Sequence, residues 1–258
     1  MTMSYLAPAI AHEQRDSLLG RTSPLVKLAI AVLWLLGLGL TVHPGPPLVL
    51  IVVTLIAGIE LGRIPLPRLA ARLVPLALAA AGIAVTNLVF SGQNADPAAT
   101  ELTRIGPLRI TEEAVAAAFG IGARIGAIVA VGAVFALTTD PTRLVDALVQ
   151  QGRISPRFAY GALAAYQAVP RLADDLATLR AARRLRGLRE WHPRILVGLL
   201  VRAIRRADQL AIAMDARGFG SPDLGARTTF RPLHWSILDA VVLLTGVVLI
   251  VVLLLATR

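Results

Sequence analysis

Two Arg-Gly pairs, Arg186-Gly187 and Arg217-Gly218, stand where two amphipathic stretches of this chain run out. The spacing predicts one helix over Arg171–Arg189 and a second over Arg194–Gly218, parted by Trp191-His192-Pro193. In the first, Leu172, Leu176 and Leu179 recur at helical intervals, and the stripe carried onward reaches Arg183 and Arg186. In the second, Leu196, Leu200, Ala203, Ala207, Leu210 and Met214 form the stripe, and its continuation lands near Arg217. Glycine tolerates the left-handed backbone that commonly closes a helix C-terminus. A guanidinium is a rigid fork of donors that grips carboxylates strongly and in one geometry. Each helix therefore carries an arginine to the end of an apolar seam, a pattern suited to docking in acidic clefts of a cytoplasmic partner. Anionic lipid, at about 1 kcal/mol per basic residue, or a helix C-terminal dipole, at about 0.3–1 kcal/mol, would also draw arginines here. Neither explains why the same ending occurs twice.

Other chemistry finds less support. Asp174-Asp175 could begin a magnesium site of a membrane prenyltransferase or phosphotransferase, but such sites converge several carboxylates on the ion. The next two turns supply Leu179, Arg180 and Arg183 instead, so a solvated face paired with nearby arginines fits better and no metal site is expected. A nucleotide-binding P-loop needs a lysine after its glycine-rich turn. The one lysine, Lys27, follows Thr22-Ser23-Pro24-Leu25-Val26, so no catalytic residue and no ATP hydrolysis by this chain alone are expected. The chain has no cysteine, which excludes disulfides and thiolate metal sites, and His12, His43, His192 and His234 lack ligand spacing. No cofactor is expected.

The elements that must position the arginines follow from composition. Of 258 residues 56% are hydrophobic and 16% charged, with mean hydropathy +0.69, whereas soluble domains carry about 25% charged residues. This predicts an all-α polytopic membrane protein, with about five transmembrane helices plus two long amphipathic helices on the cytoplasmic side. The expected spans are Leu25–Val42, residues 46–61, Leu69–Phe90, Ala114–Leu137 and Ile237–Ala256. The second is short against the roughly 20 residues a span needs, and takes in Pro46 and Pro47 to lengthen it. Ser91–Thr111 reads as a polar loop, Pro141–Gln150 as a short helix and Phe219–Pro232 as a connector. Phe158–Val169 is apolar but below spanning length and is flanked by Arg153, Arg157 and Arg171, so it is expected in the membrane surface or inside the protein. The domains are then 1–137 with four spans, 138–234 with the arginine-rich helices, and 235–258 with the last span.

A net charge of +10 would suggest nucleic acid in a soluble protein. Here residues 140–234 hold sixteen arginines against eight acidic residues, which marks the cytoplasmic side of a membrane protein, and no nucleic-acid partner is expected. The positive-inside bias holds for every loop if the N-terminus and residues 138–234 are cytoplasmic and the C-terminus is outside. The expected location is the plasma membrane, as a multi-pass protein. Arg124 falls inside the fourth span, where a charge is expensive and usually paired. It could line a substrate or ion pathway, but an arginine bonded to carbonyls of neighbouring helices fits better.

Ala213-Met214-Asp215-Ala216-Arg217-Gly218-Phe219 resembles the second Ala-Arg-Gly signature of the transmembrane T component of energy-coupling factor transporters, the EcfT/CbiQ-like family of ABC-class vitamin and transition-metal importers. Ala181-Ala182-Arg183-Arg184-Leu185-Arg186-Gly187 is similar to the first signature, with Leu185 where that family usually has alanine. Arg21 to Lys27, Arg124, Thr138-Thr139-Asp140-Pro141 and Pro170 extend the resemblance over nearly the whole chain. It implies a non-catalytic scaffold between two cytoplasmic ABC ATPase subunits and a small substrate-binding membrane (S) subunit, built on two crossed coupling helices in the lipid bilayer's margin. Arg186 and Gly187 on one helix, and Ala216, Arg217 and Gly218 on the other, would each engage one ATPase groove. Closure of the ATPases on ATP would move the helices and reorient the S subunit, while Arg124 would be a structural intramembrane residue. On this reading another chain recognises the transported molecule. The alternative is an integral membrane enzyme acting on a lipid-linked substrate through Asp174, Asp175 and Arg124; a lipid-sensing structural protein held by basic helices comes third.

Overall fold

The computed structural model of the chain describes residues 16–41, 43–96, 98–105, 108–219, 229 and 231–256. The first fifteen residues of the expected cytoplasmic N-terminal segment and most of the Phe219–Pro232 connector lie outside the described residues. In chain order the elements begin with α1 (Leu18–Arg21), α2 (Pro24–Gly39) and α3 (Gly45–Ile56, continued by a π turn at Ala57–Leu61). Next come α4 (Leu66–Val89, followed by a 3-10 turn at Gly92–Ala95), strands β1 (Glu101–Ile105) and β2 (Leu108–Thr111), and α5 (Glu112–Thr138). The series closes with α6 (Pro141–Gln150), α7 (Pro156–Leu185), α8 (Arg194–Ala216) and α9 (Ile237–Leu255). These fall into two compact units, one within Pro141–Leu233 and one within Ala9–Asp140 and His234–Arg258.

The helix starts are written in the sequence. Proline stands in the first turn of α2, α3, α4 and α7. There its missing N–H would have had no partner and its ring presets the helical φ. Thr111 caps α5 by accepting from the Ala114 N–H at 3.3 Å, and Glu112 and Glu113 in the first turn suit the positive end of the helix dipole. Ser236 and Asp239 open α9 with a reciprocal capping box.

Leu66–Ala95, Glu112–Thr138 and Ile237–Leu255 are long and apolar enough to cross a membrane, while Pro24–Gly39 and Gly45–Leu61 are apolar but shorter. At 1.5 Å per residue the shorter pair reach about 24–26 Å, against a hydrocarbon core of about 30 Å. The chain is an all-α polytopic membrane protein, and among the described residues its only sheet is the β1–β2 hairpin. That hairpin lies in what composition alone suggests is an unstructured polar loop. Asn94 anchors its far end to α4: the Asn94 amide donates to the Leu88 carbonyl at 2.7 Å, and its oxygen accepts from the Thr111 N–H at the end of β2 at 3.1 Å.

In the membrane unit α2 and α9 meet through reciprocal glycines. A Cβ at Gly37 would lie 2.6 Å from Ile250, and one at Gly246 would lie 2.9 Å from Ile30. The Trp34 indole N–H donates to the Gly246 carbonyl at 2.8 Å across the same contact. Buried charge ties the helix ends. Asp239, 2% exposed, accepts from the Ser23 N–H at 2.6 Å and the Ser236 N–H at 2.9 Å. The Lys27 ammonium donates to the Thr138 carbonyl at the end of α5, at 2.8 Å.

Two expected boundaries move. Phe158–Val169 is not separate from a helix starting at Arg171, because α7 runs unbroken from Pro156 to Leu185 with Pro170 inside it. An internal proline deletes one N–H and crowds the carbonyl four residues back. That carbonyl belongs to an exposed residue, Tyr166, so the loss falls on the open side of the helix. The helix also stops at Leu185 rather than Arg189, since Gly187 turns the backbone to φ +68°.

Gly37→Ala is expected to destabilise the chain by about 1–3 kcal/mol through overpacking. Adding Ile250→Ala should recover part of that loss. Thermal unfolding in detergent measures both, and strictly additive losses would contradict the close approach.

Candidate functional site

Among the described residues, two of the three helices of the Pro141–Leu233 unit, α7 and α8, end in one backbone pattern. Beyond α7, the Leu188 N–H donates to the Arg183 carbonyl at 3.1 Å and the Gly187 N–H to the Arg184 carbonyl at 3.0 Å. Beyond α8, the Phe219 N–H donates to the Met214 carbonyl at 2.9 Å and the Gly218 N–H to the Asp215 carbonyl at 2.9 Å. Such paired closing bonds require a left-handed residue, and Gly187 and Gly218 have φ +68° and +70°. A side chain there would cost about 1–2 kcal/mol. Arg186 and Arg217 are the residues just before the reversal, each capping its helix. Both side chains are exposed, and among the described residues neither guanidinium has a hydrogen-bond or ion-pair partner.

The arginines around Arg186 are occupied differently. Arg184 pairs with Glu190 at 2.7 Å, the Arg183 Nε donates to the Arg189 carbonyl at 3.0 Å, and Arg180 stacks 5.3 Å from the centre of the Trp191 ring. These contacts fold the segment after α7 back on the helix and leave Arg186 to project. Leu185 beside it is 89% exposed. Ala216 beside Arg217 is exposed too.

A charge grip holds α7 to α8. Asp175 receives Arg202 Nη1 at 3.4 Å on one carboxylate oxygen and Arg206 Nη1 at 2.9 Å on the other. One turn further along α7, Leu179 lies over Gly198 of α8, within 3.8 Å of where a Cβ would stand. With both Asp175 oxygens engaged, Asp174-Asp175 offers no free pair of carboxylates to a divalent ion. Among the described residues no three His, Cys, Asp or Glu cluster as a metal site would need. Sequence reasoning expected arginine partners for Asp174-Asp175 close by on the same stretch and missed that Asp175 takes its partners from α8. The trace of this grip is an acidic residue on α7 and two arginines at i and i+4 on α8, which nothing in a single sequence pairs.

The rest of the unit is tied to α6. The Tyr160 hydroxyl donates to Asp146 at 2.9 Å; burial first, then that bond and the carboxylate's charge, raise the phenol above its ordinary pKa and keep it a donor. Gln150 donates to the Arg231 carbonyl at 3.0 Å and accepts from the Leu233 N–H at 2.9 Å, holding the returning chain. Arg124 belongs to the other unit. It is half-buried in α5 and donates through Nη2 to the Thr41 carbonyl just past α2, while its Nε has no partner among the described residues.

A family model described as CbiQ, cobalt transport protein, matches residues 15–229, which include both arginine-tipped helix ends. The chain belongs to the CbiQ family. The energy-coupling factor transporter transmembrane protein EcfT of Limosilactobacillus fermentum is 31% identical over 255 residues, covering 90% of this chain and 91% of its own. The protein of the same name in Bacillus selenitireducens is 26% identical over 250 residues, covering 88% of each. A shorter match, 30% identical over 155 residues, joins 53% of this chain to 19% of a putative ABC transporter ATP-binding protein of Bifidobacterium longum. The family is the one the signatures resemble, and the two EcfT relatives are named as transmembrane proteins of transporters.

Gly187→Ala and Gly218→Ala should each lose about 1–2 kcal/mol of local stability. Hydrogen exchange at the Leu188 and Phe219 amides, which make the outer closing bonds, is expected to quicken, with asparagine at either site giving a smaller effect.

Proposed function

We propose that this chain is the coupling subunit of an energy-coupling-factor-type importer. It hydrolyses nothing itself and passes movement from two cytoplasmic ABC ATPase subunits to a small substrate-capturing membrane subunit. The observation that carries the reading is the duplicated helix end: one backbone closure, one exposed guanidinium without a partner among the described residues, repeated on two helices. Two like tips suit two ATPase chains, each offering carboxylates in a groove. Arg186 and Gly187 enter one, and Ala216, Arg217 and Gly218 the other. The relatives named as energy-coupling factor transmembrane proteins, and the longer one named as an ABC ATP-binding protein, support this assignment.

A second surface suits the capture subunit. Leu196, Leu200 and Ile204 are 51%, 59% and 57% exposed along one face of α8, at the i, i+4 spacing of a helix that lays its apolar side against a partner. The arginine surplus of residues 140–234 supports a cytoplasmic position for that region and for the N-terminus, with the C-terminus outside. The working division is 1–137 and 235–258 as membrane parts around a coupling region at 138–234. Arg124 acts structurally, holding α5 to the end of α2 through the Thr41 carbonyl. The cargo is a vitamin or a transition-metal ion recognised by the capture subunit, and the family description makes cobalt the first ion to assay.

Arg186→Glu or Arg217→Glu should each weaken ATPase association by about 2–5 kcal/mol, the cost of breaking a hydrogen-bonded charge pair at an interface. Co-elution of the ATPases from solubilised membranes and uptake by cells are the readouts. Wild-type assembly and uptake in the double variant would rule the reading out.

A further inference from the structure

We infer that Asp175 pins the two coupling helices together at a point equally distant from their arginine tips, an inference that rests on the coupling role proposed above. The Asp175 side chain is 14% exposed, and its two oxygens are shared between Arg202 and Arg206, one turn apart on α8. An open surface ion pair holds a structure weakly. A largely shielded carboxylate that takes one guanidinium Nη1 on each of its oxygens is held in position as well as in charge.

The arms on either side match. Arg186 stands eleven positions beyond Asp175 on α7, and Arg217 eleven beyond Arg206, the nearer of the two partners, and fifteen beyond Arg202 on α8. At 1.5 Å per residue each arm is about 16 Å long. The neighbouring contact, Leu179 over Gly198, is apolar and undirected, so it permits sliding. The carboxylate does not, because any slide strips a donor from one of its oxygens. Asp175 is thus a positioning residue: a displacement imposed on one tip turns its helix about the pin and reaches the other. Asp174 next door is exposed and outside the grip, which makes it an internal control.

The chain has no cysteine, so paired labels can be placed cleanly. Spin labels at Leu185→Cys and Ala216→Cys, one residue before each tip, report the tip-to-tip distance in the full chain in lipid nanodiscs. A single narrow distribution is expected for the parent and for Asp174→Asn. Asp175→Asn should broaden or shift it, and the mirrored triple D175R/R202D/R206D should narrow it again. Arg202→Lys with Arg206→Lys, which keeps the charge and loses the fork, should also broaden it and serves if Asp175→Asn does not fold. An unchanged distribution in the disrupted variants, or a mirrored triple that stays broad, overturns the pin. In the unlabelled complex with its ATPases, Asp175→Asn should keep co-elution while uptake per ATP hydrolysed falls at least about fivefold, the lower end of ordinary coupling energies. If the distances respond but no ATPase co-elutes even with the parent chain, the pin stands and the coupling reading fails. If ATPases co-elute and uptake per ATP is unchanged, the pin carries no coupling and the inference falls while that reading survives.

Discussion

An α-helix leaves its last four carbonyls without donors inside the helix. How those acceptors are satisfied decides where the chain goes next and which side chain is left at the edge. In α7 and α8 two amides from beyond the helix swing back onto them, a move open only to a left-handed residue. The residue before the reversal is caught outside the last turn with its side chain projecting. The placing of Arg186 and Arg217 is therefore a result of backbone hydrogen bonding more than of side-chain packing. That is why the same ending can recur in surroundings as different as the basic tip of α7 and the Met214-Asp215-Ala216 tip of α8.

The membrane unit answers the same demand where water is scarce and every unpaired backbone group is costly. It does so with charged side chains. Lys27 meets the Thr138 carbonyl at the end of α5, Arg124 meets the Thr41 carbonyl beyond α2, and Asp239 takes the Ser23 and Ser236 amides at the starts of α2 and α9. Three ionisable groups in an apolar setting would ordinarily suggest a conduction path. Here each is spent on a helix terminus, so the unit reads as a braced frame whose helices are fixed at their ends while glycines let α2 and α9 close up between them.

Much of this is legible in the sequence. Period-3.6 stripes locate α8 and the C-terminal part of α7, and apolar runs locate the starts of α2 and α3 to within one residue. The left-handed glycines announced both closures. What periodicity conceals is partnership. It names the face a residue occupies and not what meets it, so the grip of Asp175 on arginines 27 and 31 residues away left no local mark. Pro170 misleads for a different reason: proline disfavours a helix interior by a finite amount, and here the carbonyl it crowds belongs to exposed Tyr166, so the 30-residue helix continues through it. The β1–β2 hairpin hides because its anchor, Asn94, reads as one more polar loop residue.

The distribution of helix breakers bears on how motion could pass through the second unit. From Asp175 to Arg186 there is neither glycine nor proline, and the same is true from Arg206 to Arg217. The first is rich in alanine, leucine and arginine and the second in alanine, all strong helix formers. Pro170 in α7 and Gly198 in α8 lie on the other side of the grip from the tips, and Gly187 and Gly218 lie just past them. An arm that bent along its length would absorb a push at its tip. These arms hold their yielding points outside the interval between grip and guanidinium, so a force applied at either arginine meets a continuous hydrogen-bonded rod until it reaches the carboxylate that joins it to the other.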